Sequence, residues 1–182
     1  MTHTYRTKRA VLMLILGLVV VGSVFAKPHG LAGQTPEVMS QQRTEEVMGA
    51  YMTALMNNEP IGEFFADDIV VTMVDVGQEI VGRDAAVAAI VDFHQVAFAA
   101  ELEIRSFIAG PGIAYAEVVF GGTHTGDFGG IPATGREVSV PYAVVSELSS
   151  DQITSIRLYG PTSGLIQQIT AEGTPAIATP AS

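Results

Sequence analysis

An α+β domain is predicted by one change of rhythm along the chain. Up to about residue 98 apolar residues recur every three or four positions, and from Glu101 onward they alternate every second position. Turn signals at Gly110-Pro111-Gly112 and Ser149-Ser150-Asp151 separate the alternating stretches. Helices first and a four-stranded meander after predict helices packed on one side of a curved antiparallel sheet. Such a sheet encloses a cone, and the mouth of a cone is a natural small-molecule pocket.

The elements follow in order. Thr35-Pro36-Glu37 places an N-cap hydroxyl, a proline at the first helical position and an early acid, which predicts a helix start. Val38, Val47, Met48, Tyr51, Met52, Leu55 and Met56 then give the helix its apolar stripe, up to Asn57-Asn58. Pro60 to Ala66 predicts a short helical turn with Phe64 and Phe65 buried. The β-branched run Ile69 to Val74 predicts a strand, Asp75 to Gly77 a turn, and Glu79 to Val81 a brief second strand. Gly82-Arg83-Asp84 opens a long helix with Val87, Ile90, Val91, His94 and Phe98 along one stripe. Leu102 to Phe107, Ile113 to His124, Glu137 to Leu148 and Gln152 to Tyr159 are the four later strands, with a glycine-rich loop at 126–135.

Both ends of the chain read differently. Arg6, Lys8 and Arg9 precede an apolar run from Ala10, and Val24-Phe25-Ala26 supplies the short residues read by a signal peptidase. Residues 1–26 are therefore expected to be a secretory signal cleaved after Ala26, or else an N-terminal anchor in which residues 10–26 meet the membrane. Either way the basic flank directs the rest out of the cytoplasm, to the periplasm or the exterior. Residues 27–35 read as a linker, 36–169 as the folded domain and 170–182 as a disordered tail.

Composition narrows the function. The 182-residue chain carries 9 Lys and Arg against 19 Asp and Glu, a formal net charge of −10. Nucleic acid is a poor partner for such a surface, because phosphate binding needs clustered cations. With no Cys and four His lacking any HExxH pairing, neither disulfides nor a metal site nor a cofactor is expected. The expected partner is a small molecule.

Few ionisable groups fall inside elements that should be half buried. Asp75, Glu117 and His124 are the candidate acid/base groups, since a carboxyl in a dry pocket has a raised pKa and a histidine titrates near neutrality unaided. Glu117 and Arg157 also fit an ordinary cross-strand ion pair, and His94 fits a ring packed at a helix edge. Strand parity sets Tyr115 and Glu117 on one face and Phe120 with His124 on the other, unless Gly121-Gly122 forms a bulge. On the last strand it groups Ile153, Ser155, Arg157 and Tyr159 opposite Thr154, Ile156 and Leu158. The candidate pocket lining is Met73, Tyr115, Phe120, Arg157 and Tyr159.

From Val81 onward the chain resembles the SnoaL-like polyketide cyclases of the nuclear-transport-factor-2-like superfamily. Val81-Gly82-Arg83-Asp84-Ala85-Ala86-Val87 is similar to the family's "G-R-E-A-I" helix opening. The segment Gly122 to Arg136 is close to "G-T-H-T-G-x-F-x-G-x-P-P-T-G-R", and Leu165-Ile166-Gln167-Gln168-Ile169 resembles "L-L-x-Q-L". The resemblance implies a cone fold of the nuclear-transport-factor-2-like or cystatin-like kind, often homodimeric through its sheet. It also implies ring closure by intramolecular aldol condensation without a metal, with an Asp four residues before the Leu of the terminal motif as acid/base. In this chain that position is Pro161, which has no proton to transfer. The favoured expectation is thus an exported domain that binds a small apolar ligand. The alternatives are a cofactor-free cyclase, isomerase or hydrolase using His124 with Glu117 or Asp75, and a homodimeric interaction module.

Overall fold

A computed structural model describes residues 39–171. The expected leader and linker, and residues 172–182 of the expected tail, lie outside them. No helix among the described residues is long and apolar enough to cross a membrane.

The architecture is α+β. Six strands form one sheet: β1 (Phe65–Met73), β2 (Gln78–Val81), β3 (Phe98–Gly110), β4 (Ile113–His124), β5 (Glu137–Ser149) and β6 (Gln152–Tyr159). Their order is β2-β1-β6-β5-β4-β3, so the predicted meander β3 to β6 is present and is extended by two earlier strands. The extension is made by a parallel pairing of β1 with β6, Val71 opposite Ile156 and Met73 opposite Leu158. The helices α1 (Gln41–Met56), α2 (Arg83–Val91) and α3 (Pro161–Thr170) complete the described fold.

Helix α1 starts at Ser40, five residues beyond the predicted Thr35; residues 35–38 lie outside the described segment. Ser40 in extended conformation accepts from Arg43 N with its side chain, the expected reason for a helix to begin there. The predicted stripe is buried at Val47, Met48, Tyr51 and Leu55, which pack with Phe65, Ile69, Ala114 and Ile153. Each such side chain contributes about 1.5–3 kcal/mol through burial. Met56, at the end of the stripe, is exposed.

Three bulges alter the simple alternation. Arg105 is the extra residue between Ile104 and Ser106 in the β3–β4 ladder, and β1 changes register between Phe65 and Val70. In β6 the ladder steps from Glu147 opposite Ser155 to Leu148 opposite Ile153, leaving Thr154 unmatched. Ile153 is consequently in the core with Ile156, and its predicted grouping with Arg157 and Tyr159 does not hold. The Gly121-Gly122 pair does not shift the β4 register, and Phe120 and His124 remain on the buried face.

The predicted second long helix changes character halfway. After Val91 the chain continues as a π-helical turn, Asp92–Ala97, and Phe98 already belongs to β3. Helix α3 is an addition to the expected elements, lying between the last expected strand, which ends at Tyr159, and the tail expected from residue 170. Gly160 in the left-handed region (φ 98°) precedes Pro161 at the first helical turn, and Leu165 and Ile169 form its buried stripe.

Candidate active site

The inner face of the sheet holds two apolar clusters. One lies under α1; the other gathers Phe98, Phe120, Val138, Val140, Leu165 and Ile169. A cavity of about 390 Å³ is walled by β1, β2, β6, β5 and β4 below and by α2, the π-helical turn, the glycine-rich loop and α3 around it. Its walls are mostly apolar: Val71 and Met73 from β1, Ile80 from β2, Phe120 from β4, Leu158 from β6 and Leu165 from α3.

Helix α3 closes one side because three separate contacts seat it. Upstream of Ala143, β5 has no β6 partner, and the Gln168 amide satisfies that edge by accepting from Ser139 N (2.8 Å) and donating to Ser139 O (2.9 Å). Gly164 lets the helix approach closely, since an added Cβ would stand 2.9 Å from Val140 Cγ1. Asp75 Oδ2 accepts from Ser163 N (3.1 Å) and Ser163 Oγ (3.2 Å), supplying the helix N-terminus with the cap that Gly160 lacks.

The glycine-rich loop forms the opposite side. Thr125 N and Gly126 N both donate to Ala97 O, at 2.9 and 3.1 Å, and Asp127 Oδ1 accepts from Gly130 N. An added Cβ at Gly126 would stand 2.5 Å from Val96 O, so only glycine permits this approach. Phe128 is thereby delivered into a group of rings, with centroids 5.6 Å from Phe93 and 5.2 Å from Phe98. Phe93 and Phe120 are 4.8 Å apart.

His94 and Tyr142 are polar groups of the cavity wall. His94 Nδ1 lies 2.8 Å from Ile90 O; a carbonyl only accepts, so Nδ1 carries the proton and Nε2 the lone pair. That Nε2 is shielded from solvent and has no hydrogen-bond partner. Burial among the rings holds the His94 pKa below the usual histidine value, opposed in part by its bond to Ile90. Burial pushes the Tyr142 hydroxyl up to about 12, so it stays protonated. Gln78, Asp92 and Thr162 also line the cavity, Gln78 and Asp92 from exposed positions.

The candidates named from sequence are divided by this geometry. Met73 and Phe120 line the cavity. Tyr115 and Glu117 lie on the outer face of β4, where Tyr115 Oη donates to Glu117 Oε1 at 3.0 Å and the bond raises the tyrosine pKa. Arg157 is on the outer face as well, donating to Glu147 Oε1 at 2.8 Å, so its ion pair is with Glu147 rather than Glu117. Tyr159 is exposed at the end of β6. Asp75 is exposed and engaged with Ser163.

His124 is fully buried and does not line the cavity. Its Nδ1 accepts from Thr134 N at 3.3 Å and lies 3.0 Å from Thr134 Oγ1, while its backbone pairs with Arg136 O and Gly135 N. The ring packs at 5.1 Å on Phe98. This histidine ties the two ends of the glycine-rich loop to the sheet.

Pro161 is buried in the cavity wall at the first turn of α3. Tyr142 is a wall residue outside the expected lining, although it shares strand parity with the buried Val138 and Val140, a signal present in the sequence. Phe93 and Phe128 carry no such signal, because a π-helical turn and an irregular loop place them.

Solved structures of other proteins share this fold. A protein from Jannaschia sp. CCS1 described as a SnoaL-like polyketide cyclase superposes with a TM-score of 0.66 at 16% identity, over 73% of this chain and 95% of that one. A Catenulispora acidiphila DSM 44928 protein with a ketosteroid isomerase-like fold gives 0.56 at 21% identity, over 71% and 98%. An M. tuberculosis LEH-like epoxide hydrolase gives 0.56 at 17% identity, over 71% and 90%. At these identities the likeness concerns the fold. No curated protein matches the chain. A family model described as SnoaL-like polyketide cyclase matches residues 45–169, and the chain belongs to that family.

Proposed function

We propose that this chain is an exported pocket protein whose cavity takes up a small, largely apolar molecule. The observation that carries the reading is the cavity of about 390 Å³ beneath α3, with apolar walls and only a few polar groups. That size and lining suit a small organic ligand. The family supplies the context of a ligand-binding domain of the cyclase and isomerase type. Mass spectrometry of the purified full chain tests it: a co-purifying small molecule is expected, and it should be lost from a cavity-filling Ala89→Phe variant. A molecule retained equally by that variant sits elsewhere and overturns the assignment.

Export rests on Arg6, Lys8 and Arg9 ahead of the apolar run and on Val24-Phe25-Ala26. N-terminal sequencing of protein from the envelope or medium should read Lys27. Intact Met1 on membrane-bound protein would favour the anchor, and intact soluble cytoplasmic protein would end both readings.

Pairing of two copies through the outer sheet face is a second reading. Ile108 and Ile113 are exposed there beside half-buried Tyr115, Val119 and Val145. Sedimentation analysis should give a dimer that Ile108→Glu weakens; a monomeric wild type removes the reading.

A further inference from the structure

Formal charge at the cavity is of one sign. Asp92, which opens the π-helical turn, lines the cavity from an exposed position, where the wall meets solvent. No Lys or Arg of the described residues lines it, and burial favours the neutral form of His94. Arg43, Arg83, Arg105 and Arg157 are paired with other carboxylates, and Arg136 is outside the wall. The Asp92 carboxylate thus has no ion pair among the described residues. The chain as a whole carries a net charge of −10, so its field draws cations toward such a mouth and turns anions away. Immediately behind Asp92 the wall becomes apolar, with Phe93, Phe120 and Phe128 among the residues that line it. A molecule with an apolar body and a positive head fits both regions, whereas a carboxylate or phosphate head would face Asp92 with no counter-charge.

We infer that the cavity takes an organic cation, an apolar body with a tertiary or quaternary ammonium head that rests beside the Asp92 carboxylate at the mouth. The assignment rests on the pocket reading above and adds the head group to it. At this exposed position the head keeps water on one side, which avoids the cost of burying a full charge in an apolar interior. Alkyl groups cover the charge of a tertiary or quaternary ammonium, so it sheds water more readily than a primary one and suits a wall that contains aromatic rings. The neighbouring acids do not share the task. Asp75 is engaged with Ser163 and Asp127 with Gly130 N, and neither lines the cavity.

Calorimetric titration of the full chain at low ionic strength with 2-naphthylmethyl-trimethylammonium, 2-naphthylmethanol and 2-naphthoate tests it, since the three share one bicyclic body. The cation should bind about tenfold more tightly than the carboxylate, with the alcohol between them. In Asp92→Asn, which keeps the shape and removes the charge, the ratio of cation to carboxylate should fall to about threefold or less, and the alcohol should be unaffected. Glu101→Gln removes one charge from an exposed position on β3 outside the cavity wall, and should leave the ratio near its wild-type value. A carboxylate as tight as the cation, an alcohol tighter than it, or a ratio unchanged in Asp92→Asn overturns the inference while the pocket reading stands. So does an equal fall in Glu101→Gln, which would assign the preference to the overall field. Failure of all three probes to bind, or binding that survives Ala89→Phe, overturns the pocket reading and this inference together. Should Asp92→Asn not fold, the order of the three probes in wild type decides.

Discussion

Asp75 and Ser163 are 88 residues apart in sequence and meet at the N-terminus of α3, where one carboxylate oxygen accepts from both the backbone N–H and the hydroxyl of Ser163. The turn after β1 thus holds the helix that walls the cavity. An anion at this end of a helix is also favoured by the peptide dipoles. Asp75, a candidate acid/base from sequence, has a clear structural task here, although it does not line the cavity.

Replacing Asp75 with Ala should cost about 0.5–2 kcal/mol, the usual effect of losing a helix cap. Denaturant midpoints measure the loss, and amide exchange should quicken first at Ser163 and its helical neighbours. A variant with unchanged midpoint and exchange would mean that the contact is not maintained in solution.

His124→Ala should damage the fold before it damages binding. The substitution empties a fully buried site and leaves Thr134 N without its acceptor, a combined loss of about 2–4 kcal/mol. The thermal midpoint should drop sharply while the remaining folded protein still retains the small molecule expected to co-purify with it. Intact stability with lost binding would instead place His124 in contact with ligand.

The strands were legible because their two faces differ: Ile113–His124 and Gln152–Tyr159 have the predicted bounds. Their faces were less so. Period-two counting fails at one inserted residue, and Thr154 is such an insertion, which is why Arg157 and Tyr159 were grouped with the buried Ile153. Helix α3 did carry a signal, Gly160-Pro161 followed by Leu165 and Ile169, but its ten residues include a glycine and few strong helix formers. Tertiary contacts from Asp75, Ser139 and Val140 hold it in place, and all three are far from the helix in sequence. Phe93 and Phe128 were hardest to read because a π-helical turn and an irregular loop place them, whereas His94 fell on the predicted helical stripe and was read there only as a packed ring.

Stability should depend on pH through His94. Burial lowers its folded pKa below that of the unfolded chain, near 6.5, so the unfolded state binds more protons in the interval between the two values. The contribution to stability is therefore complete above about pH 6.5 and is lost as pH falls toward the folded pKa. Denaturant midpoints at pH 5, 6, 7 and 8 should rise through this window more steeply in wild type than in His94→Phe. Parallel curves for the two proteins would show that His94 titrates alike in both states.

Pro161 holds the position at which the resemblance to the family's cyclases implies an acid/base Asp, and it lies buried in the cavity wall. Pro161→Asp should fold, because an acid suits the first turn of a helix and the loss of a fixed backbone angle costs only about 0.4–1 kcal/mol. Two effects then act on the new carboxyl. The helix end favours its charged form by about 0.3–1 kcal/mol, whereas burial in an apolar wall shifts a carboxyl upward by up to about 3–5 pKa units, so burial prevails. A carboxyl raised toward neutrality can take and return a proton at carbon. Deuterium exchange at the α-carbon of a small ketone such as 4-phenyl-2-butanone, followed by NMR, should accelerate with Pro161→Asp and not with Pro161→Asn, which has the same shape and no carboxyl. Equal exchange by wild type and Pro161→Asp would mean that a group already present in the cavity performs the transfer, and His94 would be the first to replace.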